Sequence, residues 1–127
     1  MRIYMAARYS RRLELLAYAK ELRAAGHEVT SRWLNGTHEA ADNDTSRWGD
    51  FAKDDLEDIR RSDVIVLFTE TALVPRNSRM VELGIALGLA KRIIIVGPRE
   101  NVFCCLPDVR VYRSWEDFNS VWVLHSD

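Results

Sequence analysis

The chain of 127 residues has two cysteines, three prolines and three histidines, and its basic and acidic side chains, 18 and 19, nearly cancel. Each scarcity excludes something. Cys104 and Cys105 are neighbours, which is poor geometry for a structural crosslink and lacks the paired spacing of a zinc site, so both are expected as reduced thiols. His27, His38 and His125 share no ligand spacing, and no metal or other cofactor is expected. Without a net field of one sign, nothing draws the chain onto a nucleic-acid polymer or an anionic membrane. No apolar run approaches a membrane span, and charge interrupts residues 1–8 before a signal-peptide core can form, so the cytoplasm is the expected compartment. The P-loop, the Gly-x-Ser-x-Gly elbow and an intact dinucleotide fingerprint are also missing.

What remains has 47% apolar and 29% charged residues, the balance of one domain with its own core over residues 1–127. Residues 2–6 read as a strand, and Ser10 is placed to cap a helix carrying Leu13, Leu16, Leu22 and Ala25 before Gly26. Residues 27–33 alternate weakly and suggest a second strand, followed by a polar loop at 35–44. Thr45 or Ser46 then precedes a helix with Trp48, Phe51, Ala52, Leu56 and Ile59 at helical spacing. Residues 64–68 form a β-branched run, Ser78 is placed to cap a helix reaching Ala90, and residues 93–96 give a fourth strand closed by Gly97 and Pro98. Residues 109–112 suggest a fifth strand. Ser114 opens a last helix, with Asp117 near a capping-box position and Phe118, Val121 and Trp122 facing inward.

Strands alternating with helices predict an α/β, three-layer Rossmann-like domain with a parallel five-stranded sheet. A flavodoxin-like order, 2-1-3-4-5, is the economical topology, and ligands then bind at the carboxyl ends of the first and third strands. Residues 7–10 and 69–78 should face a ligand, which makes Ala7, Arg8, Arg76, Ser78 and Arg79 candidate binding residues; each guanidinium there can hold a phosphate or stand in solvent.

Glu82 lies near the start of the helix after the third strand, where the positive end of the helix dipole favours a carboxylate. Position alone does not separate a nucleophile from an ordinary helix-start glutamate. Gly84 and Gly88 each cost roughly 1 kcal/mol of helix propensity relative to alanine, for which close packing of helix on sheet is the structural explanation. Asp55 falls on the apolar side of its helix, between Phe51 and Ile59, whereas Asp54, Glu57 and Asp58 read as solvated charges and Asp63 as a turn residue. An inward acid is either capped and salt-bridged or functional. Tyr4 faces opposite to Ile3 and Met5, as a packed core tyrosine or with its hydroxyl beside a carboxylate.

The segments Arg2-Ile-Tyr-Met-Ala-Ala-Arg-Tyr-Ser10, Asp54-Asp-Leu-Glu-Asp-Ile59, Ser62-Asp-Val-Ile-Val66, Val81-Glu-Leu-Gly-Ile-Ala86 and Lys91-Arg-Ile-Ile-Ile95 occur in this order. Together they resemble the nucleoside 2-deoxyribosyltransferase superfamily, which includes the 2'-deoxynucleoside 5'-monophosphate N-hydrolases. The likeness covers roughly the first three quarters of the chain. It implies that Glu82 is the nucleophile, with Asp55 and Tyr4 beside it, in a retaining displacement at C1' of a nucleoside or nucleotide. Water as acceptor gives hydrolysis, and another base gives transfer. Relatives that hold a 5'-phosphate are rich in Gly and Ser where this chain reads Ala6-Ala-Arg8 and Pro75-Arg-Asn-Ser-Arg-Met80. The resemblance also implies a homodimer or larger homo-oligomer whose neighbouring subunit completes the site, with Asn101 and the residues up to Leu106 as the expected contribution. The alternative is a non-catalytic nucleotide-binding module of the same fold.

Overall fold

A computed structural model describes residues 1–38, 45–71 and 77–125 of the chain; Arg76 and residues 39–44 of the expected loop lie outside the described residues. Five strands, β1 (Arg2–Ala6), β2 (Glu28–Val29), β3 (Val64–Phe68), β4 (Arg92–Val96) and β5 (Arg110–Tyr112), form one parallel sheet in the order β2-β1-β3-β4-β5. The continuous apolar runs of β3 and β4 sit in the middle because helices cover both sheet faces. The helices are α1 (Arg12–Ala24), α2 (Trp48–Arg61), α3 (Ser78–Gly88) and α4 (Trp115–His125). On one face, Phe68 of β3 stacks with Tyr18 of α1 and Trp115 of α4. On the other, α2 and α3 pack side by side. Tyr4 pairs in register with Ile65, an odd number of residues from Phe68, so the pleat sends its ring toward α2 and α3.

Several local expectations are corrected. A 3₁₀ turn at Tyr9–Arg11 absorbs Ser10, α1 starts at Arg12 without a side-chain cap, and its buried stripe is Leu15, Ala19 and Leu22, leaving Leu13 70% exposed. The second strand is only two residues long. Beyond it Ser31 Oγ accepts from the Met5 amide at 3.0 Å and the Trp33 indole donates to the Met5 carbonyl at 2.8 Å, so side chains replace the ladder while residues 32–35 coil into a 3₁₀ turn. In α2, Trp48 and Ala52 are exposed, and Asp58, expected in solvent, is fully buried. In α4, Ser114 Oγ accepts from the Asp117 amide and Phe118 and Trp122 are buried, but Val121 faces outward.

The glycines of α3 are also corrected. The helix ends at Gly88 rather than Ala90, Asn77 takes the cap position that Ser78 was expected to hold, and a Cβ at Gly84 or Gly88 would meet nothing within 4 Å. Leu83, Ala86 and Arg79 form the inward face. Close approach to the sheet therefore does not explain these glycines; with Val81 and Leu89 they make an exposed stripe at helical spacing.

Candidate functional site

Tyr4 is carried by β1, between β2 and β3, where the pleat leaves it no exposure. Its hydroxyl donates to Oε2 of Glu82, the fifth residue of α3. Burial first, and then the charges of Glu82 and Asp55, raise the phenol well above its ordinary value, so Tyr4 keeps its proton and acts as a donor. The side chains of Tyr4, Glu82 and Asp55 thus converge from β1, α3 and α2.

Both carboxyls are shifted upward. Burial, with Asp55 as the next cause, pushes Glu82 up to about 8, against the pull of the Tyr4 hydrogen bond. Burial, followed by the charges of Asp58 and Asp54, pushes Asp55 up to about 7, with Tyr4 and Arg32 opposing. The expectation that the helix start would favour an ionised Glu82 is corrected: it lies a full turn inside α3, where removal from water outweighs the dipole. Glu82 is raised further than Asp55, so near neutral pH the pair shares its protons with Glu82 the tighter holder. The arrangement offers one ionised and one protonated carboxyl, with Glu82 as the ionised one only when the remaining proton sits on Asp55.

Two further groups around Asp55 escaped the sequence. His38 stacks on Phe51 of α2 with ring centroids 4.6 Å apart, its Nδ1 3.5 Å from Asp55 Oδ1 and its Nε2 3.8 Å from Asp54 Oδ2. Burial is the main cause lowering its pKa, so the ring is neutral at pH 7. Asp58 accepts from the Arg32 amide and from Arg32 Nε, both at 2.9 Å, while Arg61 Nη1 lies 3.6 Å away. This clamp ties the 3₁₀ turn Arg32–Asn35 to α2. Arg12 Nη1 donates to the Leu34 carbonyl from the other side, and Gly36, at φ 83°, turns the chain toward His38 in a conformation that costs glycine little.

The expected binding residues are more dispersed. Ala7 follows β1 and is half-buried. Arg8 Nη1 lies 3.9 Å from Glu70, a carboxylate already held by Arg11 at 3.0 Å. Ser78 opens α3 at the surface. Arg79 is buried, with Nη2 donating to both oxygens of Glu100 at 2.7 and 2.8 Å, so its guanidinium faces a carboxylate of its own chain. Asn101 Oδ1 accepts from the Phe103 amide and caps the 3₁₀ turn Val102–Cys105, while its Nδ2 contacts Met80 Sδ. Cys104 and Cys105 are both free thiols. Among the described residues, no group of three or more His, Cys, Asp or Glu side chains is arranged to hold a metal ion, and no helix is long and apolar enough to cross a membrane.

No protein-family model matches the chain, and no curated protein is significantly similar to it. Solved structures are similar. A 2-deoxyribosyltransferase from the psychrotolerant bacterium Bacillus psychrosaccharolyticus superimposes with a TM-score of 0.70 at 22% identity, over 92% of this chain and 89% of that one. The chain has the fold of that enzyme. A 2-deoxyribosyltransferase from Leishmania mexicana gives 0.68 at 15% identity over 99% of both chains. The CMP N-glycosidase of Clostridium botulinum gives 0.65 at 18% identity, over 98% of this chain and 100% of that one. This deoxyribosyltransferase-like fold thus spans nearly the whole chain.

Proposed function

We propose that the protein cleaves the N-glycosidic bond of a nucleoside or deoxynucleoside, free or as its 5'-monophosphate, through a glycosyl–Glu82 intermediate. The observation that carries this reading is the hydrogen bond from Tyr4 to Glu82 Oε2, which fixes one carboxylate oxygen and leaves Oε1 to attack. The reacting state has Glu82 ionised and the shared proton on Asp55; from it Glu82 Oε1 bonds to C1' as the bond from C1' to the base nitrogen breaks. The electron pair of that bond goes to the base, and the base takes the proton of Asp55. Water or a second base then attacks C1', Glu82 leaves as a carboxylate, and Asp55 recovers a proton from the acceptor. Water makes the reaction a hydrolysis and a base makes it an exchange; the two activities are those in the names of the similar structures.

The working unit in this reading is a homodimer or larger homo-oligomer, in which a second copy covers the exposed stripe of Val81, Gly84, Gly88 and Leu89 with the adjoining Val102 and Phe103. Exposed apolar side chains at helical spacing, with glycines between them, let two such helices approach closely. The free thiols fit a reducing compartment, and the cytoplasm is the proposed location.

The test is to incubate the protein with a panel of nucleosides, deoxynucleosides and their monophosphates, with and without an acceptor base, and to follow free and exchanged base by chromatography. Glu82→Ala should release none. Base release by that variant at the wild-type rate would overturn the assignment.

A further inference from the structure

We propose that His38 is a positioning residue for Asp55: its ring shuts one carboxyl oxygen, Oδ1, from water and its Nδ1 fixes that oxygen, so that the other oxygen is the one presented to the base. The inference rests on the proposed role of Asp55 and goes beyond it by assigning a residue outside the Tyr4, Asp55 and Glu82 set. Three observations converge. The Asp55 side chain is 25% exposed but its Oδ1 is buried, and Nδ1 of the His38 ring, itself only 8% exposed, stands 3.5 Å from that oxygen, so the ring covers Oδ1 and leaves the exposure to the rest of the side chain. It is clamped flat on Phe51, one helical turn before Asp55 on the same face of α2. Asp55 Oδ1 and His38 Nε2 are buried without a hydrogen-bond partner, and the 3.5 Å from Nδ1 to Oδ1 is one that a small closure shortens to hydrogen-bond length.

Among the described residues, the groups facing Asp55 are Tyr4 of β1, Glu82 of α3, Asp54 and Asp58 of α2, and Arg32 of the 3₁₀ turn. Asp58 and Asp54 hold the proton on Asp55, and Tyr4 and Arg32 draw it off. His38 is neutral and enters this balance by excluding water, the largest of the causes that raise Asp55. Removing the ring and replacing it by another ring therefore have opposite consequences for the proton.

Two variants separate the two parts of the role, with Asp55 followed by carbon-detected NMR titration and base release followed as kcat and KM against pH. In His38→Ala, water reaches the carboxyl, so the Asp55 midpoint should fall by about one pH unit or more. The alkaline limb of kcat should move down with it. In His38→Phe, the ring still covers Asp55 but no nitrogen meets Oδ1; the midpoint should stay at or above that of the wild type while kcat falls about tenfold at unchanged KM. An unmoved midpoint in folded His38→Ala, or wild-type kcat in His38→Phe, would overturn the inference. Were the wild type to release no base from any substrate, the proposed function would fail, and the titration would still decide what His38 does to Asp55.

Discussion

The hydroxyl of Tyr4 reaches Oε2 of Glu82 across 78 residues of sequence, joining the third residue of the first strand to the middle of the third helix. A carboxylate oxygen so held cannot rotate away without losing its donor. Tyr4→Phe removes the hydroxyl and keeps the ring. Its kcat for base release should fall about 100-fold with KM changed little, the pattern for an interaction realised in the transition state. A variant that loses KM and keeps kcat would show that the hydroxyl serves substrate binding instead.

Asp55 should matter in proportion to how badly the base needs a proton to leave. Asp55→Asn cannot donate, so its rate on an ordinary nucleoside is expected to drop by about 100-fold or more, with the fold retained. On an analogue whose base departs without protonation, the same variant should recover most of the wild-type rate. Equal losses on both substrates would separate Asp55 from leaving-group chemistry, and an unfolded variant would make it structural.

The raised carboxyls also carry a cost in stability whose sign is fixed. Asp55 and Glu82 start from ordinary values of 3.8 and 4.5 and reach about 7 and about 8 in the fold. Between these limits the folded chain binds more protons than the unfolded one, so stability falls as pH rises from about 4 to about 8. Glu82→Gln removes one titrating group and one charge while keeping an oxygen for Tyr4. Its Tm should exceed that of the wild type at pH 8 by about 3 °C or more, with a much smaller gap at pH 5. Paired thermal melts at the two pH values check this, and a gap that does not widen with pH would contradict the burial of the charge.

How much of this was legible depends on whether the deciding contact is local. The parallel sheet followed from β-branched runs at 64–68 and 93–96, whose continuity already demands cover on both faces, and the order 2-1-3-4-5 is the economical topology for such a sheet. Asp55 was visible because its neighbours in the helical period, Phe51 and Ile59, are apolar. Asp58 looks like Asp54 in sequence, and what buries it is Arg32, 26 residues away in a turn that reads as strand. That turn exists because Ser31 and Trp33 satisfy Met5 with side chains, a substitution that alternation of apolar residues cannot reveal. His38 depends on the same turn and on the positive φ of Gly36, so it stayed hidden for the same reason. The glycines of α3 misled differently: small residues at a spacing of four mark a close approach, but not which side of the helix is approached.

The clamp between Arg32 and Asp58 gives a test in which activity and stability move together. Asp58 is fully buried and accepts two hydrogen bonds from Arg32, one from the backbone and one from the guanidinium. Asp58→Ala therefore strands an amide and releases the turn that leads to Trp33 and His38. The expected loss is about 2 kcal/mol in urea unfolding, because the Arg32 amide loses its acceptor while the guanidinium, 40% exposed, turns to water. Arg32→Ala keeps the backbone donor and should lose less, and the double variant should lose little more than Asp58→Ala alone, because both act on one contact. Asp58 is also the foremost of the charges raising Asp55, so in Asp58→Asn the Asp55 midpoint should fall and the alkaline limb of base release should move to lower pH. If Asp58→Asn is destabilised and that limb stays in place, the clamp supports the fold without tuning the acid, and the proton on Asp55 is held by burial and Asp54.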